Sequence, residues 1–249
     1  MPPHKSLLYR YGHELNSHDV VKIVAGLLMI GDHLGLYLFD NNLWLRLLGR
    51  GAAPLFFFLI GFGGKLRFRM SLIIYAFILS AFTIYLKDAL WINILFNFML
   101  IQCLLWVVPL ERLSTATRIV SFIVLFFLNF LISPYLEYGT LGILLGFSAR
   151  LVARDDPQKS FWLGLSLLAY AFTESVYFKF YIGPYHFGAF LLLILGLYAV
   201  MREYQLKRVP CPKILLLPGL ILSRYSLEVY FYHLIILESF YYIVKNAYF

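Results

Sequence analysis

The chain has 249 residues, of which 61% are hydrophobic and only 14% charged, with a formal net charge of +8. A soluble domain carries roughly a quarter charged residues, so this composition excludes a soluble fold. Apolar runs follow one another with short polar gaps, each near the about 20 residues that cross a hydrocarbon core of ~30 Å.

Residues 1–18 are polar and basic, and no small-residue cleavage site follows the first apolar run. They are expected to form a cytoplasmic segment rather than a removable signal peptide, with 19–249 as a single transmembrane domain. Apolar windows read against Pro, Gly and charge breaks predict nine helices, near 20–39, 43–63, 71–86, 90–109, 118–133, 139–153, 160–178, 186–201 and 224–244. The stretch 214–222 is apolar but short and broken by Pro218, which suits an interfacial or re-entrant piece. The expected class is therefore all-α, a polytopic membrane helix bundle.

With nine crossings, sixteen of the 21 Lys and Arg fall on the side of the N-terminus. An excess of cations on short loops marks the cytoplasmic face, so the N-terminus is predicted inside. That asymmetry and attraction to anionic membrane lipids account for the net charge, and no nucleic-acid partner is needed. Cys103 in an apolar run and Cys211 in a basic gap match no metal spacing, so neither a disulfide nor a metal site is expected.

A charge at the centre of a membrane helix costs about 2.5–3.5 kcal/mol, so each one is a candidate functional residue. At 1.5 Å rise per residue, His33 lies roughly 18–20 Å above the inner edge of the core, with Asp32 beside it. Arg50 and Asn97 fall near 18 Å and His233 near 14 Å, within about one helical turn of each other. Asn93 shares a face with Asn97 at i, i+4, Glu174 sits somewhat further out, and Tyr230 precedes His233 on one stripe of the last helix.

Each of these residues also has a purely structural reading. Asp32 and Arg50 would serve as an ion pair clamping two helices, the histidines and asparagines as interhelical hydrogen-bond partners, and Lys65, Arg67 and Arg69 as topology signals. Chemically, an Asp next to a His can orient the imidazole and stabilise its protonated form, making His33 a general base or acyl carrier. Arg50 and the asparagines are donors suited to a developing oxyanion. There is no serine elbow and no metalloprotease motif, so acyl transfer fits better than hydrolysis. The same groups would also serve a proton-coupled transporter of a small anionic substrate through Asp32, His33 and Arg50.

The stretch Asp19-Val20-Val21-Lys22, then Met29, Asp32-His33, Leu48-Gly49-Arg50-Gly51-Ala52 and Pro54-Leu55-Phe56, resembles the N-terminal signature of the TraX family. Asn93-Ile94-Leu95-Phe96 with Gln102, Tyr138-Gly139 with Gly142, Arg150-Leu151 and the run from Tyr230 to Leu237 are similar to later blocks of that family, so the resemblance covers most of the chain. The namesake acetylates the N-terminus of F-pilin, and the family is distantly similar to multi-helix membrane acyltransferases that use a histidine on the first helix. The resemblance implies an acetyltransferase of the bacterial plasma membrane, with acetyl-CoA as donor and an amine or hydroxyl of a pilin-like peptide, glycan or lipid as acceptor. By that resemblance His33 is the catalytic candidate, with Asp32, Arg50 and His233 as supporting catalytic positions; the other polar groups near that depth, Asn93, Asn97, Glu174 and Tyr230, are expected to contact the acceptor. The phosphates of the donor are expected on Lys65, Arg67 and Arg69.

Overall fold

The computed structural model describes residues 15–64, 69–87, 90–109, 112–179, 183–210 and 213–247. Among them it contains eleven helices and no strand. These are α1 (Ser17–Tyr37), α2 (Leu43–Gly49), α3 (Ala52–Gly63), α4 (Met70–Lys87), α5 (Ile94–Val107), α6 (Thr115–Ile132), α7 (Leu141–Ala153), α8 (Lys159–Phe178), α9 (Pro184–Arg202), α10 (Lys213–Arg224) and α11 (Ser226–Ala247).

The all-helical bundle expected from composition is what forms. Among the described residues, six spans are long and apolar enough to cross a membrane: α1, Leu43–Gly63, α6, α8, α9 and Ser226–Lys245. Three shorter apolar helices, Met70–Leu86, Ile94–Val107 and Leu141–Ala153, complete the set. The expected second helix, 43–63, is interrupted at Arg50 and Gly51, which divide it into α2 and α3. The stretch expected to be interfacial belongs to α10, a 12-residue helix with Pro218 inside it.

Burial sorts the helices into a centre and a lipid-facing rim. α7 buries Leu141, Gly142, Leu144, Leu145, Ala149 and Leu151, close to its whole circumference, while α6 buries only Asn129. Leu131, Phe127 and Val120 on α6 are more than half exposed, as suits side chains whose solvent is hydrocarbon. Without water to drive helices together, close backbone approach does the packing, and small residues permit it. A Cβ on Gly61 of α3 would collide with the backbone of Gly146 on α7, and one on Gly146 would meet Ile101 of α5. α3 and α7 therefore touch almost backbone to backbone in the middle of the bundle, and the Ile101 side chain of α5 packs onto the α7 backbone at Gly146.

Local signals fix where the elements begin. Asn16 and Asp19 form a capping box at the start of α1, and Ser114 caps α6. The segment after α9 returns to that same end of the bundle. Ser17 N–H donates to the Lys207 carbonyl at 2.8 Å, and Val209 N–H to that of Leu15 at 3.1 Å.

Gly61→Val is expected to destabilise the protein by about 1–3 kcal/mol through overpacking. Gly26→Ala, at a site with open space around a new Cβ, should be neutral or slightly stabilising. Unfolding of the detergent-solubilised variants checks both. An unchanged Gly61→Val midpoint would contradict the close α3–α7 approach.

Candidate functional site

Asp32 and His33 are adjacent on α1, so their side chains leave the helix about 100° apart and meet different neighbours. The Asp32 carboxylate faces α2. Its Oδ2 pairs with Arg50 and accepts from Arg46 at 2.9 Å, while Oδ1 makes no hydrogen bond. Gly49 makes this possible, since a Cβ there would collide with Asp32. One residue without a side chain thus lets two arginines, four positions apart on one face of α2, close around a single carboxylate.

Arg50 is committed further. Its Nη1 lies 3.4 Å from Glu174 on α8, and its guanidinium stands 4.5 Å from the Phe178 ring centroid and 5.8 Å from that of Tyr138. Its carbonyl, at the α2–α3 break, accepts a 2.6 Å hydrogen bond from the Tyr170 hydroxyl. Asp32, Arg46, Arg50 and Glu174 are all buried. The clamp expected of Asp32 and Arg50 is therefore larger than a pair, joining α1, α2 and α8.

His33 turns towards α11. Its Nδ1 lies 2.7 Å from Nε2 of His233, with the two rings stacked 4.9 Å apart. Nδ1 of His233 lies 2.7 Å from the Val229 carbonyl of its own helix. One turn further along, Tyr37 of α1 donates to Glu238 of α11 at 2.7 Å, and Thr83 of α4 donates to the same carboxylate at 3.3 Å. The imidazole of His33 is thus oriented by a second histidine, and Asp32 by arginines. This departs from the Asp–His couple that their adjacency in sequence suggests.

Two cavities approach this centre from opposite ends of the bundle. The larger, of about 870 Å³, has the cations Lys22, Arg69, Arg150 and Arg154 along its wall, with the His18 imidazole beside them at the N-terminal end of α1. Deeper in, Met29, Ala52, Ala53, Phe56 and Leu59 make it apolar. The smaller, of about 360 Å³, is lined by Arg46, Arg50, Glu174 and Glu238 together with Tyr37, Trp91 and Tyr177. Asp32, His33, Glu137, Tyr138 and Tyr230 line both.

Of the residues singled out in the sequence, Asp32, His33, Arg50, Glu174, Tyr230 and His233 come together. Tyr230 stands with its ring 6.4 Å from that of His33 and 5.8 Å from that of His233. Asn93 lines the smaller cavity, but its side chain caps α5 through Leu95 N–H and donates to the Ala76 carbonyl at 2.8 Å. Asn97 lines neither cavity and donates to the carbonyls of Glu137 and Gly139, at 2.8 and 2.9 Å. Arg69 lines the larger cavity, whereas Lys65 and Arg67 lie outside the described residues.

Sequence alone leaves 134–138 between two predicted helices and gives Glu137 no role and Tyr138 none beyond the Tyr138-Gly139 resemblance. Ile92 N–H donates to the Tyr135 carbonyl and Glu137 N–H to that of Ile92, at 2.7 and 2.9 Å. Glu137 accepts from Ile94 N–H at 3.0 Å, which anchors the loop to the start of α5. Tyr138 and Gly139 both have positive φ, 62° and 45°. A tyrosine held in the left-handed region is uncommon, and here it carries the ring that lines both cavities. Arg46, four residues before Arg50, was the other omission, and that spacing was its one visible signal.

The comparisons with known proteins agree with the resemblance drawn from the sequence. The family described as TraX protein matches residues 17–238. An uncharacterized protein of Rickettsia prowazekii (strain Madrid E) is 32% identical over 143 residues, 54% of this chain and 56% of that one. The match thus spans a little over half of that relative's length. No solved structure matches.

Asp32→Asn removes the carboxylate that pairs with Arg46 at 2.9 Å and leaves Arg50 paired with Glu174. Breaking a buried pair on one side costs about 3–5 kcal/mol, so a fall of that order in unfolding free energy is expected in detergent. Replacing Asp32 and Arg46 together by apolar residues should lose less than Asp32→Asn alone. A double loss equal to the sum of the two single losses would mean that the two groups are not coupled.

Proposed function

The chain belongs to the TraX family, and on that premise we propose that it is a membrane acetyltransferase. It moves an acetyl group from acetyl-CoA to an amine or hydroxyl acceptor, a pilin-like peptide, glycan or lipid. The observation that carries this reading is the meeting of two cavities, one basic-walled and one rich in carboxylates and aromatics, at the His33 ring.

The residues present fit the proposed donor. Lys22 and Arg69 are cations suited to phosphates at the wall of the larger cavity, and its apolar interior suits an uncharged arm. From Lys22 to His33 is about 16 Å along α1, the order of reach of an extended pantetheine chain. In this reading His33 takes the proton of the acceptor as its nitrogen or oxygen bonds to the acetyl carbon. The carbon–sulfur bond breaks, the thiolate leaves, and His33 returns the proton to it. Arg50, held by Asp32 and Glu174, keeps a fixed positive field near the reacting carbonyl, and Tyr138 and Tyr230 wall the passage between the cavities.

Orientation follows from charge. On the nine-crossing reading of the sequence, sixteen of the 21 Lys and Arg share the side of the N-terminus, which supports that side facing the cytoplasm, where the donor is made. The six long and three short apolar helices then make nine crossings of the bacterial plasma membrane.

Purified protein in nanodiscs, given radiolabelled acetyl-CoA and a membrane extract, should transfer label to a lipid, glycan or peptide fraction. His33→Ala should lower that rate by about 10²–10⁴-fold, the usual contribution of a general base. No transfer, together with substrate-dependent proton flux in vesicles, would overturn the enzyme and favour an anion transporter.

Lys22→Gln with Arg69→Gln should raise KM for acetyl-CoA about tenfold while leaving KM for S-acetylpantetheine, which lacks the phosphates, unchanged. Equal effects on both donors would remove the phosphates from this wall.

A further inference from the structure

The two histidines are joined in a way that determines where their protons sit. The Val229 carbonyl has only lone pairs to offer, and Nδ1 of His233 approaches it to 2.7 Å. That nitrogen must therefore carry a hydrogen, because two lone pairs at such a distance repel. In an uncharged ring the other nitrogen is then bare. Nε2 of His233 is an acceptor, and the group 2.7 Å away, Nδ1 of His33, must be the donor. By the same exclusion, Nε2 of His33 carries the lone pair.

We propose that His233 is a positioning residue that holds His33 in its Nδ1–H tautomer, so that Nε2 of His33 is the base at the junction of the two cavities. The basic role rests on the acetyltransferase reading; the tautomer does not. Imidazole in water prefers the opposite tautomer, with hydrogen on Nε2, so without His233 the base would be protonated at the wrong nitrogen most of the time. When Nε2 of His33 accepts a proton, its Nδ1–H bond to His233 becomes charge-assisted and shortens, spreading the positive charge over both rings. No oxidant or other reactant is needed: one proton arrives from the acceptor and leaves with the thiolate.

The geometry around the pair is built to keep it. His233 is held by a carbonyl of its own helix, so its ring is directed before α1 arrives. One turn away the Tyr37–Glu238 hydrogen bond ties the same two helices together, and the Tyr230 ring lies against both imidazoles. A clamp alone would need only one such bond. The histidine pair adds a fixed proton.

Nitrogen NMR of protein labelled with 15N-histidine reads the tautomer directly, with His33→Gln assigning its signals among the six histidines. His33 should show hydrogen on Nδ1 and a bare Nε2 in the native protein. It should do so in His233→Gln, whose amide oxygen takes the place of Nε2 as acceptor, and change to hydrogen on Nε2 in His233→Leu. In the transfer assay His233→Leu should lose about 100-fold in kcat with little change in KM for the donor, and His233→Gln should recover most of the loss. Hydrogen on Nε2 of His33 in the native protein would overturn the proposal. So would a native tautomer surviving in His233→Leu. Absence of any acetyl transfer alongside the expected tautomers would sink the enzymatic reading and leave the assignment of the proton standing.

Discussion

The fold depends on how one carboxylate is kept charged inside hydrocarbon. An isolated carboxylate there is prohibitive, and each partner must bring a charge without itself being stranded. Asp32 is answered by Arg46 and Arg50, Arg50 in turn by Glu174. With all four ionised, two anions face two cations and the cluster is neutral. Its members come from α1, α2 and α8, so these helices cannot shift independently. Gly49 is the geometric permission for this arrangement, since any side chain there would push α2 off α1. The break between α2 and α3 follows at the last clamped residue, where Tyr170 takes the carbonyl of Arg50.

Because Asp32 is occupied on the α2 side, His33 is presented to the other neighbour of α1. The ion cluster and the histidine pair therefore grip α1 from two directions at one level, and the cavities end there because the chain is locked there. Tyr138 completes the barrier from a third direction. Its left-handed backbone is supported by Asn97, which takes the carbonyls on both sides of it, and by Asn129, whose side chain accepts from Thr140 N–H at 3.2 Å. The asparagines thus act on the centre through a loop.

Much of this was legible in the sequence because a membrane makes polarity expensive. Every residue of the ion cluster and the histidine pair except Arg46 stood out as a charge or imidazole in an apolar run, and helix rise placed Asp32, His33, Arg50 and His233 within about one turn of the same depth, with Glu174 somewhat further out. Arg46 was hidden by its nearness to the predicted helix start, where an arginine is cheap. Direction round the helix was harder to read. Adjacent residues suggest a couple, and only the packing of α2 and α11 on α1 reveals that Asp32 and His33 serve different partners. The connection 134–138 was illegible for a related reason: nothing in its sequence shows that Ile92 and Asn97 draw it inward.

The rigidity of the centre also bears on its use. A transporter that bound its anion on Arg50 and carried protons on Asp32 would have to dismantle the cluster in every cycle, exposing charges that now satisfy one another at low dielectric. The guanidinium is held by two carboxylates and two aromatic rings, so each cycle would begin by losing several of the strongest interactions in the molecule. Group transfer asks for none of this. On the proposed reading donor and acceptor would approach along separate cavities, only an acetyl group and a proton would move, and the charges would remain where they are. A fixed field and one directed imidazole are worth more to a reaction than to a carrier, because preorganised groups need not reorient as charge develops. The arrangement that makes the bundle stable is for that reason also the one that favours chemistry at its centre.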